Sequence, residues 1–148
     1  MIDRFRPGAF IPYRALTNVK GFQVSNTVDV DFDGVYQGVS ISAMVGSPRL
    51  QRVTLLEEGS PHPIQWVGSG EGGLQIGGVQ LSGEKKVSVT VESSDDNGET
   101  FKPSSLGRST WRTLSLPSFV VTTVKAEDNG DSDSDFDDAV VYFSWLSK

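Results

Sequence analysis

Four aspartates at alternate positions, Asp131, Asp133, Asp135 and Asp137, are the residues of this chain best placed to do chemistry. They belong to the stretch Glu127-Asp128-Asn129-Gly130-Asp131-Ser132-Asp133-Ser134-Asp135-Phe136-Asp137-Asp138, which runs directly into the apolar segment 139–145. Seven of the 19 carboxylates fall in those twelve positions, and the remainder nearly balance the 13 Lys and Arg. The formal charge of −6 is therefore almost wholly a property of this stretch. Like charges this close repel, the more so as water is excluded. In an extended segment alternate side chains share a face, and in a loop curled round an ion they point inward. Either way four carboxylates converge, with Asp138, Asn129 and backbone carbonyls in reach. Oxygen donors alone, in a chain without cysteine, select a hard cation, calcium before magnesium. One calcium takes roughly six to eight oxygens, and the excess of carboxylates argues for a second ion.

Two other uses of these carboxylates compete. A solvated Ser/Asp-rich loop needs no ion. A glycosidase needs two carboxyls facing a cleft at a defined separation. A short loop tied to a core strand ending in Trp145 cannot swing free, which favours the ion over the solvated loop. So dense a cluster also suits a metal better than a pair of carboxyls with separated pKa values. No Ser-His-Asp, Cys-His or H-E-x-x-H arrangement is present, and the one histidine, His62, lies in a loop between Pro61 and Pro63. An enzyme is not expected.

The elements that must position the loop are strands. Val, Thr, Ser and Gly dominate and helix formers are sparse, which favours strands joined by tight turns. Apolar runs with period-2 alternation are expected to be strands at 8–13 (an edge strand, cut by Pro12), 14–24, 28–34, 35–45, 50–56, 64–67, 74–81, 86–92, 110–116, 118–125 and from Ala139 on. Segments 74–81 and 86–92 read as a hairpin around Ser82-Gly83-Glu84-Lys85. The reading is an all-β chain: one domain over 1–148, an antiparallel β-sandwich, jelly-roll or Greek-key-like, of about eight to ten strands.

Three other motifs carry no chemistry. Asp29-Val30-Asp31-Phe32-Asp33-Gly34 matches the first half of a calcium loop, but its twelfth position is Ser40 rather than a bidentate Glu, so it reads as a half-buried strand. The glycine run 68–73 lacks the spacing of a phosphate cradle and reads as a flexible surface loop. Ser94-Asp95-Asp96-Asn97-Gly98-Glu99-Thr100-Phe101 fits the Asp-box pattern of sialidase-type propellers, but without a second copy it is a sturdy hairpin turn. The acidic balance and the lack of a basic stripe argue against nucleic acid. No stretch approaches a membrane span or a classical signal peptide, so a soluble protein, cytoplasmic or non-classically secreted, is expected.

The stretch Glu127-Asp128…Gly130-Asp131-Ser132-Asp133-Ser134-Asp135-Phe136-Asp137-Asp138-Ala139-Val140-Val141…Trp145 resembles the C-terminal signature of the small bacterial calcium-dependent fucose/mannose-binding lectins, roughly E-D-G-x-D-x-D-Y-N-D-A-V-V-x-x-x-W. Ala15-Leu16-Thr17-Asn18-Val19-Lys20-Gly21 is similar to that family's A-F-A-N-S-S-G. The resemblance implies a β-sandwich, usually dimeric or tetrameric, in which two adjacent calcium ions coordinate sugar hydroxyls directly. Asp133, Asp135, Asp137 and Asp138 would be the core ligands beside Asp131, with Asn18 from the other loop. Either Glu127 or Asn129 would fill the family's Glu position. Lys148 would stand for a C-terminal carboxylate donated by a neighbouring subunit. Val19, Lys20 and Gly21, with Asp133 and Asp135, would face the sugar. The acidic loop is two residues longer than the signature, and Val19-Lys20 replaces the family's small Ser-Ser.

The expected function is thus calcium-dependent carbohydrate binding, with one or two Ca2+ ions and a fucose- or mannose-type partner. The competing reading is a calcium-stabilised structural or adhesive sandwich that binds protein partners and no sugar.

Overall fold

From Val39 to Val45 every second residue is apolar and buried, which is how a strand with one face on a core must read. The same alternation recurs along the chain. A computed structural model describes residues 26–32, 34–83, 85–127 and 138–148. Among them are eight strands and no helix: β1 (Thr27–Asp31), β2 (Val35–Glu57), β3 (Ile64–Ser82), β4 (Lys86–Ser94), β5 (Lys102–Pro103), β6 (Ser105–Arg112), β7 (Ser118–Glu127) and β8 (Ala139–Ser147).

All pairings are antiparallel, in the order β1-β4-β2-β8-β7-β6, with β3 on the other edge of β2 and β5 on β4. The organiser is β2. Its first half, up to Val45↔Ala139, pairs β8, and its second half, from Leu50↔Ser94, pairs β4. β3 runs beside both halves, with register shifts between Ala43 and Gln51. One strand thus serves two layers. Arg108 Nη1 donates to the Asp29 carbonyl at 2.5 Å, drawing the β6 edge towards β1 so that the sheet nearly closes.

The sequence suggests two strands, 35–45 and 50–56, where the structure has one. Pro48 does not end β2 because it falls in the gap between the β8 and β4 ladders, where its missing N–H is not needed. The expected hairpin of 74–81 with 86–92 does not form. Leu81 pairs Val39 and Lys86 pairs Asp31, so the two segments lie in different layers. Nor is the glycine run a free loop. It lies within β3, bent where Gly72 and Gly73 take φ of +85° and +81°.

Gly77 answers to a different demand. A Cβ there would sit 2.1 Å from the Trp66 ring, which lies across the glycine. Gly77→Val must displace an indole already packed against the core, and is expected to cost ~1–3 kcal/mol by overpacking. Denaturant unfolding followed by tryptophan emission measures this; an unchanged midpoint would mean the ring moves aside freely.

The interior is built from the inward positions of these strands: Val39, Ile41, Val53 and Leu55 of β2, Val87, Val89 and Val91 of β4, Val120 and Val124 of β7, and Val141, Phe143 and Trp145 of β8. Phe32 lies among them, its ring 5.9 Å from that of Phe143 and 5.5 Å from that of Trp145. The decoy calcium loop behaves as a strand, since Asp29 and Asp31 lie in β1 and Ser40 in β2.

The Asp-box octapeptide is the expected hairpin turn, joining β4 to β5. Asp96 Oδ1 accepts from the Thr100 amide at 2.9 Å and from Ser94 Oγ at 2.6 Å, and the Thr100 hydroxyl donates to Oδ2. The Ser94 and Thr100 hydroxyls hold the Asp96 carboxyl well below the usual carboxylate range. The Phe101 that ends the motif lies under the Arg52 guanidinium, 3.9 Å from ring centroid to Cζ, and Arg52 pairs Glu92 at 2.8 Å.

Candidate functional site

The acidic stretch leaves the sandwich between two neighbouring strands. Ala126↔Ala139 is the last rung of the β7–β8 ladder, and beyond it the Asp138 amide donates to the Ala126 carbonyl at 3.1 Å. The Asp138 carbonyl in turn accepts from Gly46 at 3.0 Å, tying this root to the point where β2 leaves β8. Glu127, the last residue of β7, pairs Ser105 of β6. Glu127 and Asp138 are therefore the two roots of the connection 128–137, Glu127 set by main-chain pairing with β6 and Asp138 by main-chain hydrogen bonds to Ala126 and Gly46.

Both roots are buried, Glu127 at 6% and Asp138 at 4% exposure. A carboxylate is almost never so fully withdrawn from water unless something positive or hydrogen-bonding meets it. Residue 127 has the outward parity of Phe119, Val121 and Lys125, so its burial is not a consequence of facing the core. Two desolvated carboxylates at the mouth of a ten-residue connection carrying five more acids form a donor set that fits a hard cation.

Beneath this end lie small polar residues that sequence reasoning did not single out: Ser47 (3% exposed), Gln51 (0%), Ser93 (8%), Ser94 (4%) and Ser104 (0%). The signal was there. Ser47 and Gln51 sit at inward positions of β2 between Val45 and Val53, where alternation calls for apolar side chains. Asn26 Nδ2 donates to the Ser104 carbonyl at 2.8 Å, and Ser47 Oγ accepts from the Arg49 amide at 3.1 Å. Gln51 Oε1 and Ser104 Oγ are buried with no hydrogen-bond partner among the described residues.

Of the expected ligands, the structure places Glu127 and Asp138 together at the loop's roots. Lys148 is not with them: its amide donates to the Gly34 carbonyl at 2.7 Å, beyond the far end of β8. Nine residues of extended strand separate that end from Asp138, about 30 Å, so within one chain Lys148 does not join the acidic cluster. Asn18, Val19, Lys20, Gly21, Asn129, Asp131, Asp133, Asp135 and Asp137 lie outside the described residues. Among the described residues no three carboxylate or imidazole side chains converge as metal ligands, and no helix is long and apolar enough to cross a membrane.

Comparison with known proteins gives the fold a context. The family model described as fucose-binding lectin II (PA-IIL) matches residues 30–147. Among solved structures, the C-terminal domain of the BC2L-C lectin from Burkholderia cenocepacia is similar at 21% identity and a TM-score of 0.59, over 80% of this chain and 100% of that one. The high-affinity mannose-binding lectin of Ralstonia solanacearum is similar at 17% identity and a TM-score of 0.56, over 81% and 96%. Lectin CV2L of Chromobacterium violaceum, solved with alpha-methyl-fucoside, is similar at 19% identity and a TM-score of 0.53, over 78% and 98%. No sequence among curated proteins matches significantly. At these identities the structural likeness establishes the fold, and the family match establishes kinship.

Proposed function

Since the chain belongs to the PA-IIL family of fucose-binding lectins, and is thus a carbohydrate-binding lectin rather than an enzyme, we propose that it holds its sugar through calcium at the β7–β8 connection. The observation that carries this reading is the burial of Glu127 and Asp138 at the two roots of that connection. Asp131, Asp133, Asp135 and Asp137 follow in sequence between them. In this reading Asp133, Asp135, Asp137 and Asp138 form the ligand core. Asp131 and Asn18 complete it, with Glu127 or Asn129 as the remaining oxygen donor. Seven carboxylates support two ions rather than one.

When bound, calcium supplies coordination positions that two vicinal sugar hydroxyls occupy in place of water. The protein's own residues do the rest. In this reading Val19, Lys20 and Gly21 would face the ring, and Asp133 and Asp135 would accept hydrogen bonds from its hydroxyls. A fucose- or mannose-type ligand is favoured because similar structures include a mannose-binding lectin and a fucoside complex. Lys148, remote from the roots of its own chain, would take part only from a second copy.

The test is a glycan array run with calcium and again with chelator. Fucosides and mannosides should give signal that chelation removes; an array blank in the presence of calcium overturns the proposal.

A further inference from the structure

The Asp-box turn forms one wall of a cleft of about 330 Å3. Ser94, Asp95 and Asn97 line it from the turn, Arg49 with its neighbours Pro48 and Leu50 from β2, and Ser69 from β3. The walls are fixed by their own hydrogen bonds. Ser94 Oγ accepts from the Gly98 amide at 2.9 Å and donates to Asp96 at 2.6 Å, which holds the turn from beneath. A Cβ on Gly98 would lie 3.3 Å from Leu50 Cδ2, so the turn sits directly on β2. On the β2 side the Arg49 amide donates to Ser47 Oγ at 3.1 Å, and Gln51 Nε2 donates to the Arg49 carbonyl at 3.3 Å. A lining so ordered loses little conformational freedom when a ligand arrives.

The chemistry of the lining selects the ligand. Arg49 and Asp95 are its one cation and one anion, so the cleft carries no net charge. A phosphate or carboxylate would meet Asp95, and a metal ion would meet Arg49. A neutral ligand rich in hydroxyls can donate to Asp95 and exchange hydrogen bonds with Asn97 and Ser69. Pro48 and Leu50 add apolar surface on which the C–H face of a sugar ring can lie. Asp96 is already committed to Ser94 and Thr100, which leaves Asp95 and Asn97, both exposed, as the turn's outward polar side chains.

Position ties the cleft to the acidic connection. The Gly46 amide is bonded to the Asp138 carbonyl, and Arg49 follows only three residues later, a span of at most about 11 Å. Ser47, between them, pairs Gly70, the residue after Ser69. We propose that this cleft is a second sugar subsite, holding an inner residue of an oligosaccharide whose terminal residue sits at the β7–β8 connection, with Asp95 and Asn97 hydrogen-bonding its hydroxyls. The proposal rests on the calcium-dependent reading above and names its ligand as an oligosaccharide rather than a single sugar. A ligand that reaches both places gains affinity because the second contact is intramolecular.

Calorimetry in calcium should compare methyl fucoside and methyl mannoside with a panel of trisaccharides ending in the same residues. The best trisaccharide should bind the parent about tenfold or more tighter than its monosaccharide. Asp95→Ala and Asn97→Gly should each remove roughly three- to tenfold of that advantage, the worth of one or two hydrogen bonds. Monosaccharide affinity and the calcium-induced rise in melting temperature should not change. Asn97 has φ of +63°, which glycine adopts without strain, so its replacement deletes the side chain and keeps the turn. Backbone amide resonances of Leu50 and Ser69 should shift with the trisaccharide and not with the monosaccharide. A parent that binds monosaccharide and every trisaccharide equally overturns the subsite alone, as do variants that keep the full advantage. Variants that lose monosaccharide binding as well overturn it in favour of a structural role for the turn. A parent that binds neither kind of probe overturns both readings.

Discussion

Glu127→Gln and Asp138→Asn should each abolish the rise in melting temperature that calcium gives the parent chain, and should weaken calcium-dependent sugar binding by about 100-fold or more. Both substitutions keep shape and remove charge at a side chain that is almost entirely buried. A carboxylate so placed meets a bound cation with little competition from water, and the amide that replaces it cannot supply the charge. The size of the effect should therefore depend on conditions. In calcium the variants melt below the parent, since they lose the mass-action stabilisation of the folded state, which reaches ~2.7 kcal/mol once free calcium is a hundredfold above its dissociation constant. In chelator, where the parent holds no ion either, that difference should largely disappear. Melting the parent and both variants, each with calcium and with chelator, tests this. An Asp138→Asn variant that keeps the full calcium shift places the ion elsewhere, whereas a Glu127→Gln variant that keeps it leaves Asn129 as the remaining donor. Variants that melt lower under both conditions show a structural role for the two side chains.

The fold was legible where inference could stay local. Period-2 alternation picked out β4, β7 and β8, because each keeps one face on the core and the other towards solvent over its whole length. It failed where pairing is non-local. Pro48 reads as a strand end unless one knows that the β8 ladder stops at Val45 and the β4 ladder begins at Leu50. The glycines after Val67 read as a loop unless one knows that β2 runs alongside to hold them. The acidic stretch is conspicuous in the sequence because its residues are adjacent, and its two ends, Glu127 and Asp138, close the β7–β8 pair, while the residues between them lie outside those described. The polar layer at Ser47, Gln51 and Ser104 shows in the sequence only as a break in the alternation of β2, whose meaning appears once the strands around it are assembled. The choice between a sugar-binding and a purely structural sandwich, open on the residues alone, falls to the lectin through family membership.

Phe143→Ala is expected to remove ~3–5 kcal/mol of folding stability. The Phe143 ring has no exposure, and its main chain pairs Ile41 of β2 on one side and Thr122 of β7 on the other. Its ring and that of Trp145 both meet Phe32, an aromatic that arrives from outside the β2–β8–β7 layer. Truncation leaves a ring-sized void that the flanking strands cannot collapse into without breaking their ladders. Set against a total of about 5–15 kcal/mol for a domain, the loss lowers the midpoint by roughly 10 °C. Calcium and sugar affinity per folded molecule should stay within about twofold of the parent, because Asp138 is fixed by its own hydrogen bonds to Ala126 and Gly46 rather than by the ring. Melting in chelator gives the first quantity, and calorimetry well below the midpoint gives the second. A variant that stays folded but loses calcium would show that the core sets the geometry of the loop's roots. One that loses no stability would show that β8 can slide inward, which the unbroken nine-rung register of β7 on β8 argues against.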